Sequence, residues 1–192
     1  MGSETKLRDK RLPLRWIAMT TLGWLVGFAL VILLSMALES VGGVAQLTVG
    51  VGMGAGVGLF QGWVIAPWVT SKWHWFLAST IGMGLPYLLW DFSAGLGFDP
   101  LHAMWVCTVA GGVLVGVLQR RLFRPRPPRS GLWVLACTVG WGIPELLLGL
   151  DDVGLLSGGW AFLSIAVIFF GGLLLGSVTS AVLPRDLPHS AV

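Results

Sequence analysis

The chain has 192 residues, of which 55% are hydrophobic and only 11% charged, and its mean hydropathy is +0.83. A soluble domain carries roughly 25% charged side chains to cover its surface, so this composition excludes an ordinary water-facing globule and predicts apolar surface turned to lipid. The net charge of +3 is informative only through its placement, and the two cysteines, Cys107 and Cys137, sit in apolar runs at a spacing that fits no zinc or haem-attachment pattern.

A helix that crosses the hydrocarbon core needs about 20 mostly apolar residues. Six stretches meet that need, so the fold class expected is all-α, an integral membrane protein with six transmembrane helices. Residues 1–15 form a basic segment with Lys6, Arg8, Lys10, Arg11 and Arg15. The first span, Trp16–Leu38, follows. Its apolar run exceeds the roughly 7–15 residues of a signal-peptide core, and Ser35-Met36-Ala37 is a weak cleavage site, so this span is expected to be retained. Glu39 to Gly43 turns the chain into span two, Val41–Ala66, and Lys72 precedes span three, Trp75–Ala94. A link from Ser93 to Pro100 leads to span four, Leu101–Gln119. A loop with Arg120, Arg121, Arg124, Arg126 and Arg129 then separates it from span five, Gly131–Leu150. Asp151 to Gly154 turns the chain again, span six runs Gly158–Leu183, and Arg185 lies in the tail 184–192.

The four basic segments hold all 12 lysines and arginines. With six spans they share one side, which the positive-inside rule makes cytoplasmic. Glu39, Asp91, Asp99, Asp151 and Asp152 fall at or near the other side. Any odd error in the span count would scatter the cations over both faces.

One helical hairpin recurs with a period of 58 to 60 residues. Its first helix carries Trp, then Thr five later, then Gly two after that: Trp16/Thr21/Gly23, Trp75/Thr80/Gly82 and Trp133/Thr138/Gly140. Its second helix carries Gly-x-x-x-Gly and a polar residue three later: Gly54/Gly58/Gln61, Gly112/Gly116/Gln119 and Gly172/Gly176/Thr179. Pro67, Pro125 and Pro184 come soon after. The chain thus divides into hairpin repeats 16–70, 71–129 (with the basic loop) and 130–183, three parallel tandem hairpins that begin and end on the cytoplasmic side. Positions 0, 4 and 7 share one helical face. The glycines therefore form stripes that let backbones approach closely, a main source of helix association in lipid. Gln61 and Gln119 can hydrogen-bond to a neighbour from the same stripe. The spacing is compatible both with a closed ring and with an open row of hairpins. The third copy diverges most, with Thr179 in place of glutamine.

This Gly-x-x-x-Gly-x-x-Gln hairpin joined to a Trp-x4-Thr-x-Gly helix resembles that of uncharacterised polytopic bacterial membrane proteins, over nearly the whole chain. The resemblance implies this multi-pass fold and a place in the bacterial envelope, while the cations and the paired spans put the protein in the inner membrane with both termini in the cytoplasm. The resemblance implies no activity and no catalytic residue. The layout also resembles that of mitochondrial-type carriers, but Pro144-Glu145 does not reproduce their Pro-x-acid-x-x-base motif, so that likeness stops at layout.

Pro86 and Pro144 interrupt spans three and five at equivalent places, each removing the N–H that would bond the carbonyl of Gly82 or Gly140. Paired interruptions in corresponding repeats point to a binding site in transporters. Beside them stand Tyr87, the only tyrosine, and Glu145, with Asp91 a turn further on. An intramembrane carboxylate is costly and marks a functional site by default; the bland alternative is a carboxylate near the interface that reaches water or caps a helix. Most of the eleven tryptophans fit aromatic belts, while Trp24 and Trp141, at equivalent deeper positions, suit packing or contact with a lipid or pigment tail. The five loop arginines set topology and suit anionic headgroups. His74 and His102 fall at opposite faces, which argues against a shared metal site.

No Gly-x-Ser-x-Gly, His-Glu-x-x-His or phosphate-loop fingerprint is present, and no enzyme is expected. The function expected is a non-catalytic accessory or scaffold subunit of a larger membrane complex, in contact with lipid or pigment. Its partners would be the bilayer and other membrane subunits or further copies, without nucleic acid, and any cofactor is unknown. The rival is a small transporter or channel with its site at Pro86, Tyr87, Asp91, Pro144 and Glu145.

Overall fold

The structure, a computed structural model, describes residues 11–39, 46–97, 103–124, 130–152 and 160–183, with side chains for all of these except 103, 130, 147–152 and 160–165. The described residues form six α-helices and no sheet: α1 Leu12–Glu39, α2 Leu47–Ile65, α3 Lys72–Gly95, α4 Ala103–Arg120, α5 Ser130–Asp152 and α6 Trp160–Ser180. A short 3-10 turn, Ala66–Trp68, extends α2. Two stretches, Leu12–Glu39 and Leu47–Trp68, are long and apolar enough to cross a membrane. Shorter apolar stretches lie at Met104–Arg120, Gly131–Leu146 and Ala166–Ser180.

Each helix packs against its neighbours in sequence, and α6 packs against α1, so the six close into a ring. Glycine makes the contacts. A Cβ at Gly54 of α2 would stand 2.9 Å from Thr80 Cα of α3. At Gly112 of α4 it would stand 3.0 Å from Thr138 Cα of α5, and at Gly172 of α6, 2.8 Å from Thr21 Cα of α1. One turn on, Gly58, Gly116 and Gly176 meet Phe76, Val134 and Ile17 in the same way. The alternate seams are closed from the other side. Gly23, Gly82 and Gly140 of the odd-numbered helices lie against Val57, Val115 and Leu175 of the helix that follows each. Thr21, Thr80 and Thr138 each donate a hydroxyl to the carbonyl four residues earlier at 2.9 Å, so they present backbone to those glycines without an unpaired O–H.

Helix α2 carries this furthest. Glycine in a helix interior costs about 1 kcal/mol relative to alanine, yet α2 holds Gly50, Gly52, Gly54, Gly56 and Gly58 in alternation. Gly50, Gly54 and Gly58 face α3, whereas Gly52 and Gly56 face Val31 and Gly27 of α1. A side chain on either stripe would push one of the two neighbours away.

Boundaries follow polar chemistry as well as hydropathy. Helix α1 starts at Leu12, earlier than the apolar run, and Leu12 is itself buried one turn before Trp16, so the packed face extends back past Arg15 into the basic segment. Helix α2 starts at Leu47 and not at Val41, and residues 40–45 lie outside the described residues. Its first turn is held from another helix: Gln46 N–H and Leu47 N–H donate to the two carboxylate oxygens of Asp91, both at 2.8 Å. An anionic acceptor suits a helix N-terminus. Ser71 caps α3 by accepting from Trp73 N–H at 3.2 Å, and Gly97, with φ +83°, turns the chain out of α3.

A methyl group at Gly23 or Gly54 would meet backbone atoms of the neighbouring helix. Gly54→Ala and Gly23→Ala are each expected to destabilise the protein by roughly 1–3 kcal/mol, read as a lower thermal midpoint in detergent. Gly131→Ala, where nothing lies within 4 Å, should leave the midpoint unchanged or slightly raised. Equal midpoints for all three would remove the glycines from the energetics of the seams.

Candidate functional site

Three tryptophans converge at the basic end of the ring. Trp16 of α1, Trp75 of α3 and Trp133 of α5 are at most 1% exposed. Each touches the other two, with ring centroids 6.1, 6.0 and 5.7 Å apart. A buried indole N–H needs an acceptor, and each finds one on the helix preceding it around the ring. Trp75 Nε1 donates to Gln61 Oε1 at 3.4 Å, Trp133 Nε1 to Gln119 Oε1 at 3.2 Å, and Trp16 Nε1 to Thr179 Oγ1 at 2.8 Å. The glutamine amides reach the other way, Gln61 Nε2 to Thr20 Oγ1 at 3.1 Å and Gln119 Nε2 to Ser79 Oγ at 2.9 Å. Thr179 is too short for a second arm. Its hydroxyl donates to Leu175 O, and the position matching Thr20 and Ser79 is Cys137, whose thiol points to Gln119 Oε1 at 3.8 Å.

Ile65, Phe123 and Leu183, each four residues beyond Gln61, Gln119 and Thr179, are buried as well. Phe123 stands edge-on to Trp75 and Trp133 at 5.4 and 5.2 Å. The loop that carries it is tied to the α2–α3 link by Thr70 N–H to Leu122 O at 3.0 Å and Arg124 N–H to Trp68 O at 2.8 Å. Together these side chains plug the basic end.

Beyond the plug the ring is hollow. Trp24, Met83 and Trp141 follow the three plug tryptophans by eight residues, and Phe28, Tyr87 and Glu145 follow them by twelve. A cavity of about 230 Å³ takes a wall from every helix, through Phe28, Met53, Tyr87, Thr108, Glu145 and Val167. Trp24 and Trp141 form its floor, tilted against one another with centroids 5.3 Å apart. Tyr87 and Thr108 share a hydrogen bond between hydroxyls. Trp24 Nε1 is buried and has no acceptor among the described residues. Glu145 is the one carboxylate on the described wall, where no Lys, Arg or His stands. A second, apolar groove of about 320 Å³ opens between α5 and α6 at Pro144, Phe170 and Leu174; Val167 lines both spaces.

The sequence-derived cluster is only partly brought together. Tyr87 and Glu145 face the same cavity. Pro144 lines the α5–α6 groove instead, and the Pro86 carbonyl accepts the Cys107 thiol at 3.5 Å. Asp91 is taken from the cluster, since both its oxygens are committed to the start of α2. Trp24 and Trp141 belong to the cavity, and Phe28, Met53, Thr108 and Val167 join it without having been singled out. The register of twelve residues after Trp16, Trp75 and Trp133 is the signal that would have found Phe28, and it aligns Phe28 and Tyr87 with Glu145. Of the loop arginines, Arg120 is half-buried, Arg121 and Arg124 are exposed, and Arg126 and Arg129 lie outside the described residues. Among the described residues no group of His, Cys, Asp and Glu could hold a metal ion.

No protein-family model, no curated protein and no solved structure matches the chain. The geometry defines the class of site: an apolar, aromatic chamber with one carboxylate, closed at one end by a hydrogen-bonded plug.

Gln119 serves three neighbours in that plug, Ser79, Trp133 and Cys137. Gln119→Leu strands the Trp133 N–H in an apolar interior and is expected to cost about 1–3 kcal/mol. Near-UV circular dichroism should lose tryptophan signal together with the drop in thermal midpoint. An unchanged midpoint would show that the amide contributes nothing to the plug.

Proposed function

We propose that the chain is a six-span integral membrane protein of three tandem helical hairpins, a non-catalytic membrane subunit that holds a small apolar molecule inside its ring. The observation that carries this reading is the cavity walled by all six helices and stopped at one end by the tryptophan plug. An exterior turned inside out supports the membrane setting. Leu33, Ile81, Leu89, Phe92, Leu135 and Phe170 are exposed, while Thr20, Gln61, Ser79, Gln119 and Thr179 are buried. Water would reverse that arrangement. The shortest helix, with 18 residues, is about 27 Å long, close to the roughly 30 Å of a hydrocarbon core.

On this reading the basic end, plug included, faces the cytoplasm of a bacterial inner membrane. The exposed apolar faces meet lipid, other membrane subunits or further copies, and the loop arginines meet anionic headgroups. A small transporter is the second reading, favoured by a carboxylate on an interior wall. Passage through the ring would require the plug to part, at a cost of several kcal/mol given roughly 0.5–1.5 kcal/mol for each aromatic pair and each hydrogen bond. Retention of a ligand therefore fits the geometry better than flow.

Two measurements test the reading. In a chain with Cys107→Ala and Cys137→Ala, Thr70→Cys and Arg121→Cys are expected to react with an impermeant maleimide only from the cytoplasmic face, and Gly97→Cys only from the outside. Labelling of positions 70 and 97 from one side would sink the six-span topology. Purified from its native membrane in mild detergent, the protein should carry a small apolar molecule near one-to-one by mass spectrometry, and a clean, empty protein would remove the ligand-holding role.

A further inference from the structure

We propose that the occupant of the central cavity is a small lipophilic organic cation, bound with its charge between the Glu145 carboxylate and the aromatic faces of Trp141, Trp24 and Tyr87. The inference rests on the ligand-holding reading above and names the class of ligand for that site. Four aromatic side chains, the fourth being Phe28, and one carboxylate share the cavity wall, and no basic side chain among the described residues stands there to balance the acid. The described lysines and arginines lie at the plug end, on or beside the first and last turns of their helices. That is about 18 Å from Glu145, judged by the twelve residues separating it from Trp133 on α5. Glu145 is half-buried, and no hydrogen bond or ion pair to it is found among the described residues.

A carboxylate facing an apolar chamber is stabilised most by a cation within contact distance. Aromatic faces favour the same charge, because their quadrupole is negative above the ring, and desolvation strengthens the attraction. An ammonium centre with an apolar substituent satisfies both demands, and the substituent occupies the Met53, Met83 and Met104 side of the chamber. An anionic amphiphile such as a fatty acid would set two carboxylates against each other.

The test compares benzyltrimethylammonium with neopentylbenzene, its uncharged isostere, by calorimetry on the full chain in a non-ionic detergent. Wild type should bind the cation at least about tenfold more tightly than the isostere. Glu145→Gln, which keeps the side-chain shape, should lose at least about tenfold for the cation and change neopentylbenzene by less than about twofold. The wild-type comparison does not depend on how any variant folds, and the variant's own thermal midpoint checks its integrity. Equal affinity of wild type for both probes overturns the cationic ligand and leaves the ligand-holding reading standing. A cation preference untouched by Glu145→Gln overturns the role of that carboxylate. Binding of neither probe overturns the cationic ligand, and a protein that also emerges empty from its native membrane takes the ligand-holding reading with it.

Discussion

An indole N–H buried in an apolar interior must meet an acceptor or forfeit the free energy of its lost hydration. Three such groups converge in this ring, and the rest of the architecture answers to them. Each acceptor, Gln61, Gln119 or Thr179, sits on the even-numbered helix that precedes its tryptophan around the ring. The two amides then need acceptors for their own N–H groups, and Thr20 and Ser79 supply them. Where the amide is replaced by Thr179, the matching hydroxyl is replaced by Cys137, a group content in an apolar wall. Each indole and amide nitrogen in this chain of contacts thus has an acceptor, and each amide joins two neighbouring helices.

Hydrogen bonds of about 3 Å between facing side chains require helix axes that lie close together. The glycine stripes meet that requirement at every seam, and they do so at the same height in the three even-numbered helices. The same registers that bring the tryptophans into contact also fix what lies beyond them. Large side chains fill the ring at the plug, whereas past the floor formed by Trp24 and Trp141, where Phe28, Tyr87 and Glu145 stand, a cavity is left. Plug and chamber are two levels of a single packing pattern.

Much of this pattern is legible in the sequence, because a period near 3.6 is enough to place Trp, Gly and Gln on defined helical faces. The helices and the glycine stripes that pack them follow from spacing. Partnership does not. Nothing local to Gln61 says that its acceptor oxygen serves Trp75 while its amide nitrogen serves Thr20. Asp91 illustrates the loss most plainly: as a carboxylate a turn beyond Tyr87 it reads as a ligand-site residue, yet it caps α2, a helix that begins 44 residues earlier in the chain at Leu47. Capping from within one helix leaves a signature in sequence, whereas capping from a neighbouring helix leaves none. Glu145 is conspicuous in the sequence for its charge, but its chamber is defined by Phe28, Met53, Thr108 and Val167, apolar or mildly polar residues that resemble any other core positions until the ring closes.

The direction of the seams has one more consequence. On the proposed reading of three hairpins, each one takes its glycine contact and its indole donor from the next, so the contacts between units are head-to-tail, and a rotation of one-third of a turn closes them. Such units on separate chains would assemble as a homotrimer, in which any residue facing the axis occurs in triplicate. A carboxylate there would meet two copies of itself. Joining the units in one polypeptide lifts that rule, and positions 28, 87 and 145 hold phenylalanine, tyrosine and glutamate. Covalent fusion is what permits a lone charge on the axis of a threefold assembly.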